Sequence, residues 1–152
     1  MLTPDQQAAI VAGIIEREGG LVHHAKDPGG LTKYGISQQA YPQLDIRQLT
    51  KADAAAIYLT DYLRHYQLQR LQSPRNAEIV CDWLVNSGSL AIKPLQRALR
   101  VAVDGVMGPQ TLSAIDAAEP RDLLWARLDY YLSIVGHPFL KGWVHRLRQL
   151  GL

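Results

Sequence analysis

Apolar positions recur at helical spacing over most of the chain, and one stretch near the amino terminus breaks that rhythm. The first run, Ile10, Val11, Ile14 and Ile15, predicts a helix. Thr3 is suited to cap it, Pro4 to its first position, and Gln6 completes a capping box. Gly19-Gly20 ends it, because glycine accepts the left-handed conformation that closes helices. Glu18 is left in the last turn. Residues 21–37 carry no helical period. Asp27-Pro28-Gly29-Gly30 is a turn signal, and Leu21-Val22 with Tyr34-Gly35-Ile36 read as extended segments around it. A small, irregular β-hairpin is expected there.

From Thr50, capped through Asp53, helical spacing returns in Ala54, Ile57, Tyr58, Tyr62 and Tyr66, until Ser73-Pro74 breaks it. A further helix carries Ile79, Val80, Trp83 and Leu84 to Asn86-Ser87-Gly88. Another runs from Ala91 to Val101, and Val103-Asp104-Gly105 is a turn. Pro109 opens a helix to Ala117. Pro120 opens a longer one with Leu123, Leu124, Leu128 and Tyr131 on one face. Gly136-His137-Pro138 ends it, and Phe139 to Leu150 closes the chain. The expected fold class is mainly α, with a small β-hairpin near the amino terminus.

The 152 residues are 47% apolar and 20% charged, an ordinary globular composition, and one core can form without metal or disulfide. Net charge is +2, with 8 basic and 7 acidic groups in each half, so no nucleic-acid footprint stands out. After Asp129 only basic charges remain, among them Lys141, Arg146 and Arg148. That tail is either a solvated helix face or a patch attracted to an anionic surface. The single cysteine, Cys81, excludes an internal disulfide and reads as a small buried apolar residue. No basic-then-apolar leader opens the chain, and the run Ala8 to Ile15 is too short to span a bilayer. Synthesis in the cytoplasm without stable membrane insertion is expected. His23-His24 would point to opposite faces of a strand, so no metal site is expected, nor any cofactor.

The chemistry-bearing stretch is Glu18, then Asp27 in the turn, then Thr32. The negative end of a helix dipole disfavours an anion at Glu18 by about 0.3–1 kcal/mol. Partial burial in a cleft would have to add to that before the carboxyl kept a proton near neutral pH. A protonated glutamic acid is what a leaving sugar oxygen needs. An ionised Asp27 across the cleft would stabilise an oxocarbenium-like transition state, and with Thr32 could hold a water. The same residues are also common as a solvated helix end and a plain turn. Tyr34 and Tyr62 are candidate sugar-lining aromatics, though aromatics at helical spacing are more often core. Asn86 could bind an acetamido group or cap its own helix end. Trp83, Trp125 and Trp143 read as core anchors.

Glu18-Gly19-Gly20, followed by Asp27-Pro28-Gly29-Gly30-Leu31-Thr32-Lys33-Tyr34-Gly35-Ile36, resembles the signature of glycoside hydrolase family 108. These are lysozyme-like N-acetylmuramidases, many of them phage endolysins. The resemblance makes Glu18 the catalytic glutamate. The order Glu, Asp, Thr is also similar to the triad of phage-type lysozymes, in which five residues rather than four separate the last two. Asp82-Trp83-Leu84-Val85-Asn86-Ser87-Gly88 resembles a further family segment. Leu95 to Leu99 and Val103 to Leu112 look like a peptidoglycan-binding motif, and Gly142-Trp143 with Arg146 fits the family's tail.

The resemblance implies one lysozyme-like domain over residues 1–152, with 89–118 a peptidoglycan-binding-like helical subregion. It implies hydrolysis of the β-1,4 bond between N-acetylmuramic acid and N-acetylglucosamine, with Glu18 as general acid, Asp27 supporting the cation-like transition state or placing water, and Thr32 assisting. The expected partner is the peptidoglycan glycan strand, met by a monomer after release to the cell wall by a holin-type partner, with host lysis as the result. Two other readings stay open. A lytic transglycosylase would leave a 1,6-anhydro sugar, and a non-catalytic wall-binding module would not need Glu18.

Overall fold

The computed structural model describes residues 1–23, 31–134 and 140–152. Helix α1 spans Pro4–Glu18. Thr3 and Gln6 form the reciprocal capping box at its start, and Ile10, Val11, Ile14 and Ile15 are its buried face. Three short strands follow: β1 (Leu21–His23), β2 (Leu31–Lys33) and β3 (Ile36–Ser37). They form an antiparallel sheet in the order β1-β2-β3, with Val22 opposite Thr32 and Thr32 opposite Ser37. The expected hairpin is therefore one strand larger. Tyr34-Gly35, expected in an extended segment, is instead the tight turn between β2 and β3. Both residues have positive φ, 53° and 77°, the feature of two-residue hairpin turns whose twist matches the strands. The turn expected at Asp27 to Gly30, His24, and the break expected at Gly136 to Pro138 lie outside the described residues.

Helix α2 (Lys51–Ile57) begins at the expected Thr50–Asp53 capping box. It does not continue as an α-helix through Tyr66. Residues Tyr58–Arg64 wind as a π-helix, and a 3₁₀ turn, Leu68–Arg70, follows. Tyr58 and Leu63, five positions apart, are both buried. The wider π turn brings residues at that spacing onto one side, and so both tyrosine and leucine point inward.

Helix α3 (Pro74–Ser87) packs against α1, and then against α5 (Pro109–Ala117) and α6 (Pro120–Ser133) from the second half of the chain. Its residues Ala77, Ile79, Val80, Cys81, Trp83 and Leu84 are all buried. A helix surrounded in this way buries polar positions too, and Asn76 and Asp82 are enclosed. Asn76 donates to the carbonyls of Ile115 and Ala118, closing the end of α5. Burial pushes the Cys81 thiol well above its ordinary range, in keeping with an inert packed residue.

A 3₁₀ turn, Gly88–Ala91, precedes α4 (Ile92–Ala98), so the helix expected from Ala91 starts one residue later and stops three residues short of Val101. On α6 the expected stripe also contains Arg127, which is fully buried. The final helix, α7, spans Leu140–Gln149. Trp83 is core as expected, and Trp143 is half-buried, stacked on Tyr131 at 4.8 Å between centroids. Trp125 is not an anchor: it lies on the outer side of α6 and is 44% exposed. No helix among the described residues is long and apolar enough to cross a membrane.

Candidate active site

Glu18 ends α1 because Gly19 leaves the helix at φ 77°, its N–H still bonded to the Ile15 carbonyl. The carboxylate is neither free in solvent nor sealed off: its side chain is 19% exposed. Three elements hold it. The Tyr34-Gly35 turn lies against one side so closely that a Cβ on Gly35 would come within 2.7 Å of Glu18 Cγ and Oε2 and would collide with the Tyr58 hydroxyl. Tyr58, from the π segment, donates to the Tyr34 carbonyl at 2.8 Å and ties that turn down. Arg146, from α7, places Nη2 2.7 Å from Glu18 Oε1.

Arg146 is itself clamped. Its Nε and Nη2 both donate to Asp82, at 2.7 and 2.9 Å. Asp82 also accepts from Arg17 Nε at 2.9 Å and Arg127 Nη1 at 2.8 Å. Burial pushes the Asp82 carboxyl up, but the Arg146 hydrogen bonds and the charges of Arg127, Arg146 and Arg17 outweigh it and hold the group below the usual carboxylate range. Arg17 continues outward to Glu78 at 3.0 Å, and Arg75 meets Glu78 at 2.7 Å. Arg127 is further fixed by donating to the Tyr131 hydroxyl at 2.8 Å. An ion network thus runs from the protein surface through its centre to Glu18.

The tyrosines report the same charge. Burial raises the Tyr58 phenol first, and the Glu18 charge adds to it. Tyr62 is raised by burial, then by Tyr66, Asp61 and Glu18. Its ring lies 5.6 Å from that of Tyr58. Both phenols stay neutral donors at physiological pH.

Of the residues singled out in the sequence, the structure gathers Glu18, Tyr34 and Tyr62 around one place. Tyr34 contributes its backbone carbonyl to the Tyr58 bond and carries Lys33 Nζ 5.6 Å from its ring centroid. Thr32 is half-buried in the central strand β2, three residues before Gly35. Asp27 lies outside the described residues. Asn86 donates Nδ2 to the Asp82 carbonyl at 3.0 Å, bonding back along its own helix. It also lines a cavity of about 400 Å³ with Arg17, Trp143, His145, Arg146 and Gln149. A larger, mostly apolar cleft of about 520 Å³ between α1 and α2 contains Glu16 and not Glu18.

Gly35, Tyr58, Asp82 and the Arg146 contact escaped the sequence reading as site components. One signal was present: Asp82 stands inside the apolar run Ile79-Val80-Cys81-Asp82-Trp83-Leu84, and a charge in such a run must find a partner. Which arginines supply it is not written in the spacing.

The peptidoglycan-binding-like motif is largely turned inward. Gln96 Nε2 donates to Asp104, to the Val106 carbonyl and to Thr111, and its Oε1 accepts from the Gly105 N–H. These polar groups fasten the loop before α5 to α4.

Comparison with known proteins now decides the family. The model for glycosyl hydrolase 108 matches residues 11–88, which is half of the chain. The chain belongs to the glycosyl hydrolase 108 family. A second model, described as a predicted peptidoglycan domain, matches residues 90–148. Among solved structures, SagA from Brucella abortus superposes with a TM-score of 0.80 at 30% identity, over 97% of this chain and 92% of that one. Comparison with curated proteins gives no match. The fold is thus lysozyme-like and mainly helical, and this glycosyl hydrolase 108 member is a glycoside hydrolase acting on peptidoglycan. Glu18, Thr32, Tyr34, Tyr62, Asp82 and Asn86 fall inside the hydrolase match, whereas Arg146 falls inside the second one.

Proposed function

We propose that the protein is an N-acetylmuramidase of the lysozyme type, cleaving the β-1,4 bond between N-acetylmuramic acid and N-acetylglucosamine. One observation carries this reading: the family's glutamate, Glu18, is a partly exposed carboxyl held in a fixed position by a tight turn, a buried tyrosine and an arginine. Glu18 gives its proton to the glycosidic oxygen as the C–O bond breaks. Asp27 stabilises the positive charge that develops on the sugar or places the attacking water, and Thr32 assists it. Tyr34, Tyr62 and Asn86 line the glycan path. In this reading the biological outcome is bacterial lysis, with a monomeric enzyme made in the cytoplasm and reaching the wall after release.

The test is mass spectrometry of purified wall digested by wild type and by Glu18→Gln. Reducing N-acetylmuramic acid ends from the wild type, and none from a folded Glu18→Gln, support the muramidase. Anhydro ends would make it a transglycosylase, and equal digestion by both would remove Glu18 from the chemistry.

A further inference from the structure

Arg146, on α7 in the second half of the chain, reaches Glu18 with an ion pair. Two of its three guanidinium nitrogens are already engaged: Nε and Nη2 sit on the two oxygens of Asp82. Asp82 is fully buried and held from two other sides by Arg17 and Arg127. A guanidinium gripped bidentately along its Nε–Nη2 edge has one orientation left, and in that orientation Nη2 also meets Glu18 Oε1 at 2.7 Å. We propose that Arg146, aimed by Asp82, is the positioning residue that sets the Glu18 carboxyl for proton transfer, so that α7 is a working part of the catalytic centre and not solely of a wall-binding region. The proposal rests on Glu18 being the catalytic acid.

Position matters here for a physical reason. The glycosidic oxygen must lie within hydrogen-bond reach of the proton it receives, and a misplacement of about 1 Å costs on the order of a hundredfold in rate. Glu18 sits in the last turn of its helix, with Gly19 and Gly20 beyond it, and so its backbone alone does not fix the carboxyl. Gly35 and Tyr58 limit it from one side, and Arg146 supplies a directional contact from another. Lysine could keep the charge but not the fork, because its ammonium is a point charge without the planar pair of donors.

The experiment compares Arg146→Gln, Arg146→Lys and Glu78→Gln in the full chain on soluble glycan fragments, well below each variant's Tm. Glu78→Gln loosens the far end of the same network without touching Glu18 or Arg146. Arg146→Gln is expected to lower kcat by roughly 10- to 100-fold with KM little changed. Arg146→Lys is expected to recover part of that loss, and Glu78→Gln to lower Tm while keeping kcat. The proposal is overturned if Arg146→Gln keeps kcat within about twofold, or if Glu78→Gln loses as much as it does. Should Arg146→Gln not fold, Arg146→Lys decides: reduced kcat at steady KM supports positioning, and wild-type kcat removes it. Glu18→Gln is run beside them. If it stays active the acid assignment fails, whereas if it is dead and the Arg146 variants are normal only the positioning role fails.

Discussion

Replacing Gly35 by alanine tests the contact between the β2–β3 turn and Glu18 directly. Two costs add. At φ 77° any side chain places Cβ against the backbone, which costs about 1–2 kcal/mol. The new methyl then meets atoms that cannot easily retreat. Tyr58 is buried and its hydroxyl is bonded to the Tyr34 carbonyl, while Glu18 Cγ and Oε2 lie 2.7 Å away, with the carboxylate tied to Arg146 on its other side. Overpacking of this kind costs about 1–3 kcal/mol. The sum, about 2–5 kcal/mol, corresponds to a Tm fall of roughly 4–20 °C at this chain length. Gly20→Ala is the control: its Cβ meets nothing within 4 Å, and its effect should stay within about 0.5 kcal/mol. Differential scanning calorimetry measures both. A Tyr58→Phe background separates the two costs. Without the hydroxyl the worst collision disappears, so Gly35→Ala should become cheaper by about 1 kcal/mol or more. Wall digestion should fall as well, since the remaining way to relieve the clash is to move Glu18. Equal cost in both backgrounds, or a Tm matching the wild type, would refute the close packing of turn, tyrosine and glutamate.

Two buried polar groups, Asp82 and Gln96, carry the remaining expectations. Asp82→Asn leaves three guanidinium groups, that of Arg127 fully buried and those of Arg17 and Arg146 largely so, facing a neutral amide and should cost on the order of 3–5 kcal/mol, read as a lower urea midpoint. Because Asp82 is held below the usual carboxylate range when folded, its contribution is complete above the unfolded value near pH ~4 and is lost as pH falls through the lower folded value. The wild type should therefore lose stability more steeply than Asp82→Asn below about pH 4, measured by urea melts across that window. Gln96→Leu keeps the bulk of the side chain and strips four hydrogen bonds from the loop before α5, for an expected loss of about 2–4 kcal/mol. A midpoint within error of wild type would mean that the loop holds without it.

The helices were legible because helix signals are local. Capping boxes at Thr3 and Thr50, a proline break at Ser73-Pro74, prolines opening α5 and α6, and apolar stripes at three- and four-residue spacing each act within a turn or two of chain. Glu18 was legible for the same reason, as a carboxylate placed at a helix end by the two glycines after it. The π segment and the Tyr34-Gly35 turn were not. A π turn preserves the apolar composition of a helix and alters only its winding, and the burial of both Tyr58 and Leu63 against the rest of the core favours that change. Tyr34 adopts positive φ because the pairing of β2 with β3 requires it, and tyrosine itself carries no such signal.

Sequence alone determined the order of the helices, the glutamate and its family motif, and the presence of a charge in the apolar run of α3. Only the tertiary structure decided which groups answer that charge and what surrounds the glutamate. Arg17, Arg127 and Arg146 stand 65, 45 and 64 positions from Asp82. Local propensity acts over a few residues, while charge compensation in a buried core acts over a few ångströms. Packing three helices around α3 converts the one distance into the other.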